Sequence, residues 1–169
     1  MKKLSLAVAA TLAVTTSAVL AATSPATSTF QVLITVNKAC SVVAGTASDI
    51  DFGAVDSSAT NLSASSNISV TCSKTTPYNI GLQPSLGTST TGAGVMSSVT
   101  SSDTVAYQLR SGSATGPVWG STATATDVGN GVAGTGTGVA QTIPVHATVA
   151  NANVTPGAYA DTVTVLVNY

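Results

Sequence analysis

Apolar residues alternate with polar ones in several short runs along the chain, and the first such run spans residues 29–36. Its large apolar residues at every second position are Phe30, Val32, Ile34 and Val36. An extended backbone places all four side chains on one face, so the run predicts a β-strand with a single apolar stripe. The residues before this run have the pattern of a cleaved leader, described below, so the run lies near the N-terminus of the mature chain. Such a terminus is normally frayed and polar, and an apolar stripe there needs a groove to cover it.

The same two-residue period predicts further strands in the rest of the chain. One strand begins near Cys40. The others cover residues 67–72, 77–82, 105–109, 141–150 and 159–169. In the 141–150 run the predicted inward residues are Ile143, Val145, Ala147 and Val149. Pro144 then points outward, which indicates an edge or a bulge. The Ser-, Ala- and Asn-rich stretch 54–66 and the stretches 83–94 and 112–117, which contain Gly, Pro, Ser and Thr, are predicted turns and loops.

The last run is the longest and the most apolar. Its alternate positions are Tyr159, Asp161, Val163, Val165, Val167 and Tyr169. No later run follows to cover the edge of this strand. An uncovered apolar edge tends to pair with another chain.

The first residues have the pattern of an export signal. Lys2 and Lys3 precede an apolar stretch rich in small residues that is too short for a stable membrane span. We expect a signal peptide over residues 1–21, with cleavage after Ala21 or alternatively after Ala22. About 148 residues remain, enough for one domain, with no second apolar run that could serve as a membrane anchor.

Charge and composition favour an all-β domain. Without the leader, three basic residues face six aspartates, which gives a net charge of −3 and leaves no basic patch for nucleic acid. The chain contains no glutamate and few Lys, Arg, Gln and Met residues, whereas Thr, Ser, Val and Gly are abundant. Such a composition is typical of strands and turns.

Cys40 and Cys72 are the two cysteines of the chain. In an exported protein an even pair predicts one disulfide, here closing a loop of about 33 residues. The chain-entropy model assigns such a loop about 3 to 4 kcal/mol of stabilisation. A redox-active pair is the alternative, but the chain has no Cys-x-x-Cys spacing.

Several local patterns suggest chemistry that their surroundings do not support. Asp51-Phe52-Gly53 matches a kinase motif without any other kinase element, so Phe52 is predicted to lie in the core. The glycine-rich stretch 129–138 has neither the Lys-Ser/Thr end nor the helix of a phosphate loop, which favours a mobile loop. His146 is the one histidine and faces outward, so no metal site or catalytic triad is predicted. Trp119 could stack on a sugar, although a partly buried sandwich tryptophan is the favoured interpretation.

About seven short strands suggest an immunoglobulin-like β-sandwich. The two ends of the chain look complementary, because one supplies an apolar stripe and the other an uncovered edge. This combination fits β-strand addition between copies. Insertion into the same copy is the alternative, which the short connection between Val36 and the strand at Cys40 disfavours. Since donor and acceptor surfaces differ, repeated addition without closure produces a filament.

The chain also resembles the spore coat protein U domain family, the subunits of archaic chaperone-usher pili. The resemblance rests on Cys40, Asp51-Phe52-Gly53, Cys72-Ser73, Pro77-Tyr78-Asn79-Ile80, Tyr107-Gln108-Leu109, Trp119-Gly120 and the tail 156–169. It implies an incomplete sandwich, completed by a donor strand from a neighbouring subunit. It further implies a periplasmic chaperone and an outer-membrane usher as partners, and a pilus on the cell surface as the final location.

The resemblance also assigns roles to residues. It implies a donor segment over residues 22–37, with Phe30, Val32, Ile34 and Val36 as the inserted side chains, and a sandwich domain over residues 38–169. The edge of the acceptor groove would be formed by Tyr159, Val163, Val165, Val167 and Tyr169. A role in adhesion and biofilm formation follows, with no cofactor.

Three other functions compete with a structural subunit. A self-contained carbohydrate-binding sandwich would use Trp119, Tyr107 or Tyr159 as its sugar platform. A tip adhesin would need a separate binding domain, for which about 148 residues leave no room. An enzyme is disfavoured, because the chain has a single histidine and no paired carboxylates beyond Asp49 and Asp51.

Overall fold

The computed structural model describes residues 24–169. The predicted signal peptide, residues 1–21, lies outside this range. The described residues fall into two units, 24–35 and 36–169. Within them, no helix has the length and apolar character needed to cross a bilayer.

The first unit and the first residue of the second carry the predicted donor stripe. Residues 26–39, which extend into the second unit, form neither helix nor strand. The side chains of Phe30, Val32, Ile34 and Val36 are 80–88% exposed. This stretch has the apolar alternation of a strand but no strand pairing within the described chain.

Residues 36–169 form an all-β domain, as the sequence predicts. Nine strands are present in the described chain: β1 Cys40–Val43, β2 Thr60–Cys72, β3 Pro77–Pro84, β4 Gly87–Thr88, β5 Ala93–Ser97, β6 Thr104–Ser111, β7 Val132–Thr135, β8 Gln141–Asn151 and β9 Val163–Asn168. Two single 3-10 turns, Thr46–Ser48 and Ser89–Thr91, interrupt the connections.

The strands make two antiparallel sheets of unequal size. The larger sheet has six strands in the order β1-β2-β8-β6-β5-β4, and the smaller has three in the order β7-β3-β9. Their inner faces enclose one core, whose largest fully buried side chains include Trp119, Tyr78, Ile80, Leu82 and Leu109. The predicted strands 67–72, 77–82, 105–109 and 141–150 lie within β2, β3, β6 and β8, and the inward phase predicted for 141–150 is confirmed.

The disulfide prediction is confirmed: Cys40 is bonded to Cys72. The two cysteines lie directly opposite each other in the β1–β2 pair, and Cys72 is buried in the core. The bridge therefore fastens the short edge strand β1 to the long strand β2.

Loss of this bridge should sharply reduce the yield of exported protein. We expect Cys72→Ser to cost about 3 to 4 kcal/mol, because β1 has only four residues to hold it in place. Mass spectrometry under non-reducing conditions, with quantification of the exported protein, tests this expectation. Two free thiols in native material of normal yield would contradict it.

Three of the predicted loops, 54–66, 83–94 and 129–138, are wrong in part, because they contain residues of strands. The glycine-rich stretch 129–138 includes β7, which pairs with β3 from Pro77 to Ile80. Gly134 lies over the ring of Tyr78, where a Cβ atom would come within 2.3 Å of the ring Cζ. The predicted turn 83–94 includes β4 and the start of β5, and Gly94 lies in the same way over the ring of Tyr107. In both strands, glycine is required by the close approach of a tyrosine.

Two strands also start several residues away from the predicted position. Strand β2 begins at Thr60 instead of Asn67, because its first half alternates small residues with no bulky stripe. The last strand begins at Val163 instead of Tyr159, because Ala160 pairs with Ser97 of the other sheet.

Pro144 is exposed, as predicted, but it lies in a central strand. The β6–β8 pairing ends one residue away, at Ser111 and Val145, so Pro144 faces no β6 partner. This position tolerates a residue without an N–H group.

Candidate strand-docking groove

Strand β9 is an edge whose apolar face belongs to the core. It pairs with β3 alone among the described strands. The register sets Val167 opposite Ile80 and Val165 opposite Leu82, which aims the valines inward. Val163, Val165 and Val167 are nevertheless only partly buried against the core. On the side away from β3, the backbone of β9 has no strand partner in the described chain. The apolar stripe of β9 is also incompletely covered.

Strand β1 forms the neighbouring edge of the larger sheet. It pairs with β2 alone in the described chain, and its Cα atoms approach those of β9 within 8 Å. Val42 of β1, like the β9 valines, packs against the core while remaining partly exposed. The core is therefore incompletely covered along the β1–β9 seam, and a further strand beside β9 would cover it.

Two of the predicted groove residues lie at the ends of this seam and not on β9. Tyr169 follows the strand, is 41% exposed, and has the Nζ atom of Lys38 5.8 Å from its ring centroid. Tyr159 precedes the strand, and its hydroxyl donates to the carbonyl oxygen of Thr155 at 2.6 Å. On the strand itself, the predicted groove positions are the three valines.

A cleft of about 610 Å³ opens beside Tyr159, at the end of the sandwich where β9 begins. Its apolar lining includes Ile50, Phe52, Leu62, Met96, Val149 and Tyr159. Asp51 and Asp56 also line this cleft, and both are exposed. Phe52 is partly buried against the core, which confirms its predicted place.

Asp103 joins two of the loops at this end of the sandwich. Its Oδ2 atom accepts hydrogen bonds from Thr155, from Oγ1 at 2.6 Å and from the backbone N–H at 2.8 Å. These bonds stabilise the ionised carboxylate and so lower the pKa of Asp103.

A polar cluster that sequence reasoning missed holds the start of β9. Asp161 Oδ2 accepts a hydrogen bond from the Tyr107 hydroxyl at 2.8 Å, and Oδ1 accepts from the Thr162 N–H at 2.8 Å and from the Ser85 hydroxyl. Burial first, and then the Asp161 carboxylate, raise the pKa of Tyr107. The sequence does hold one sign of this cluster: Asp161 is a carboxylate at an inward position of an otherwise apolar run, so it needs hydrogen-bond partners. The cluster connects the start of β9 to Tyr107 of the larger sheet and to Ser85, which directly follows β3 of the smaller sheet.

Removing the Tyr107 hydroxyl should destabilise the subunit. Tyr107→Phe takes one hydrogen bond from a partly buried carboxylate, at an expected cost of about 1 to 2 kcal/mol in unfolding free energy at neutral pH. Because the folded-state pKa of Tyr107 is raised, its contribution is complete below the unfolded-state value near 10 and is lost as the pH rises above it. Urea unfolding of both proteins at about pH 7 and pH 11 tests this.

The difference between wild type and Tyr107→Phe should shrink at the higher pH. Tyr78, whose pKa burial also raises, contributes equally in both proteins. A difference that is constant with pH would contradict the role of the Tyr107 hydroxyl.

The residues proposed as sugar platforms are mostly inaccessible. Trp119 has no exposed surface, and its Nε1–H donates to the carbonyl oxygen of Ile80 at 2.8 Å, which confirms the buried interpretation. Tyr107 is 8% exposed. Of these three aromatic residues, Tyr159 alone lines the cleft.

The described residues include no group of three His, Cys, Asp or Glu side chains that could hold a metal ion. His146 lies on β8 between Ser65 of β2 and Arg110 of β6.

Comparison with known proteins identifies relatives of this fold. The Spore Coat Protein U domain model matches residues 26–166. A chain from the crystal structure of the CsuC–CsuE chaperone–tip adhesion subunit pre-assembly complex, from the archaic chaperone-usher Csu pili of Acinetobacter baumannii, is 26% identical with a TM-score of 0.52. The match covers 80% of the present chain and 40% of the other, so it spans well under half of that protein. No curated protein matches the sequence.

Proposed function

Since the chain belongs to the Spore Coat Protein U domain family, we propose that it is a structural pilin subunit that polymerises by donor-strand exchange. The proposal rests on the presence, in one chain, of two apolar surfaces that the chain itself does not fully cover. Residues 29–36 hold an exposed apolar stripe, and β9 holds a partly covered apolar edge. The stripe of one copy fits the edge of the next.

The spacing of the two stripes suggests a register. The four donor positions are two residues apart, as are Val163, Val165, Val167 and Tyr169. Antiparallel addition with the greatest overlap sets Phe30 opposite Tyr169 and Ile34 opposite Val165. Val36 then lies opposite Val163, beside the cleft. The backbone groups on the free side of β9 gain partners at the same time.

The addition would bury apolar surface that the free chain leaves exposed. Burial of four side chains that are 80–88% exposed contributes up to about 6 to 12 kcal/mol, at about 1.5 to 3 kcal/mol each. Backbone ladder bonds add about 1 kcal/mol each. Since donor and acceptor surfaces differ, the contact is head-to-tail and propagates as a filament.

The proposal includes partners and a location. An open β9 edge in a free subunit is a site for uncontrolled pairing, and a periplasmic chaperone that covers it would prevent this. The similar Csu chain comes from a chaperone–subunit complex, which supports such a partner. We assign assembly to an outer-membrane usher and the product to a surface pilus that serves adhesion and biofilm formation.

Purification of the native protein from periplasm and from the cell surface tests the proposal. We expect a one-to-one chaperone complex in the periplasm and, at the surface, filaments that give a ladder in SDS unless they are heated. A stable chaperone-free monomer in both fractions would overturn it.

A further inference from the structure

The charged residues of the domain are separated between the two ends of the sandwich. Lys38 and Lys74 flank the Cys40–Cys72 bridge, each two residues away from a cysteine. We call the end of the sandwich that holds this bridge and these two lysines the disulfide end. The loops 44–59, 98–103 and 152–162, which surround the 610 Å³ cleft, form the cleft end.

The cleft end carries most of the acidic residues. Five of the six aspartates lie in its loops: Asp49, Asp51, Asp56, Asp103 and Asp161. The Asp161 carboxylate already accepts hydrogen bonds from Tyr107, Ser85 and Thr162. Asp51 and Asp56 are exposed on the wall of the cleft. Asp127, in the loop before β7, is the exception, and Arg110 lies near the middle of the larger sheet.

These opposite charges cannot neutralise each other within one copy. Strand β2 connects the two ends with 13 residues, which corresponds to about 40 Å. The Debye length at physiological salt is about 8 Å. Each copy therefore presents a basic end and an acidic end.

The direction of the donor strand decides which ends meet in a polymer. Strand β9 runs from the cleft end at Val163 toward the disulfide end at Asn168. An antiparallel donor runs the other way, so Val36 reaches the acceptor's cleft end and the body of the donor copy follows there. A parallel donor would instead bring two basic ends together.

In the antiparallel register, Lys38 follows two residues after Val36 and shares its phase. It extends the donor stripe by about 7 Å past Val163 of the acceptor, to the level of the cleft. In the free subunit the Lys38 ammonium has only the ring of Tyr169 close to it among the interactions described. A cation thus arrives where the acceptor holds two exposed carboxylates.

We propose that the acidic cleft end of one copy, through Asp51 and Asp56, docks against Lys38 and Lys74 of the copy that donates its strand. The partner is a second copy of this chain, and the inference rests on the proposed donor-strand polymerisation. Pairs of this kind at the rim of an interface act mainly on association rate and orientation, by steering the correct ends together.

Charge exchange between the two ends tests this contact. We expect Lys38→Asp and Asp56→Lys, each alone, to slow ladder formation by about three- to tenfold at low salt, because each places like charges on facing ends. Both substitutions in one chain should restore the rate to within about twofold. Asp127→Lys makes the same charge change away from the cleft end and should leave the rate unchanged.

Salt provides an independent measurement on the unaltered protein. Raising the salt from about 0.02 M to 0.5 M should slow native assembly and remove the difference between wild type and the single variants. The rate is followed from the chaperone-bound full-length subunit by SDS electrophoresis without heating.

The outcomes separate the two proposals. Ladders that form at the native rate in both single variants, or a double variant slower than either, would overturn the end-to-end contact while leaving donor-strand exchange intact. Absence of any ladder from the native protein would overturn both.

Discussion

Ile34→Asp should abolish polymer while leaving the subunit folded. In the proposed register Ile34 faces Val165 in the middle of the acceptor groove, where a carboxylate would lose its hydration among apolar groups. The carboxylate either stays ionised and loses its hydration, or takes up a proton because burial raises its pKa. Either way, strand insertion becomes less favourable by several kcal/mol. The Ile34 side chain is 87% exposed in the free chain, so the substitution removes no packing from the domain. Chaperone-bound subunit should accumulate in the periplasm as the ladder disappears.

Leu33→Asp is the matched control, because Leu33 is 82% exposed and lies next to Ile34 on the opposite face of the strand. We expect it to reduce the ladder far less. If the segment were an ordinary intramolecular strand, Ile34→Asp would lower the amount of soluble subunit instead. A normal ladder from Ile34→Asp would contradict the proposed donor face.

A subunit that carries its own donor strand should be monomeric and more stable. The design adds Asn-Gly and a second copy of residues 30–37 after Tyr169, because a two-residue hairpin turn sets Phe30 of the copy opposite Tyr169. The added strand then lies antiparallel to β9 in the proposed register. We expect folding without chaperone, loss of the ladder, and an increase in melting temperature of about 10 °C or more, given several kcal/mol of added burial.

The same extension with Ile34→Asp in the added copy is the control for this design. It has the same length and nearly the same composition, but it should leave the groove open and restore the ladder. Unchanged polymerisation of the first design would indicate that β9 is not the acceptor. Size-exclusion chromatography and thermal unfolding give the two readings.

The sequence predicts this fold best where bulky residues mark the alternation. Residues 77–82, 105–109 and 141–150 correspond to β3, β6 and β8, and the inward face predicted for 141–150 is correct. Strands β5 and β7 were missed because their inner positions include Gly94 and Gly134, which have no side chain to show the period. The tyrosine ring that makes each glycine necessary comes from another strand, distant in sequence.

The candidate site was predictable to a similar extent. The valines of β9 follow from a local pattern, and their inward orientation is confirmed by pairing with β3. The places of Tyr159 and Tyr169 depend on where the chain leaves the sheet, which alternation alone does not indicate. The bond between Asp161 and Tyr107 joins residues 54 positions apart, and the separation of charge between the ends appears only after the strands are arranged.

An engineered disulfide between the two strands tests the central proposal most directly. In the proposed register the outward residues Leu33 of the donor and Leu166 of β9 lie opposite each other in neighbouring strands. We expect Leu33→Cys with Leu166→Cys, in one chain, to give a polymer whose ladder survives boiling in SDS until reductant is added. Leu33→Cys alone should give a ladder that boiling destroys. A boiled, non-reduced sample of the double variant that contains only monomers would contradict strand exchange between copies in this register.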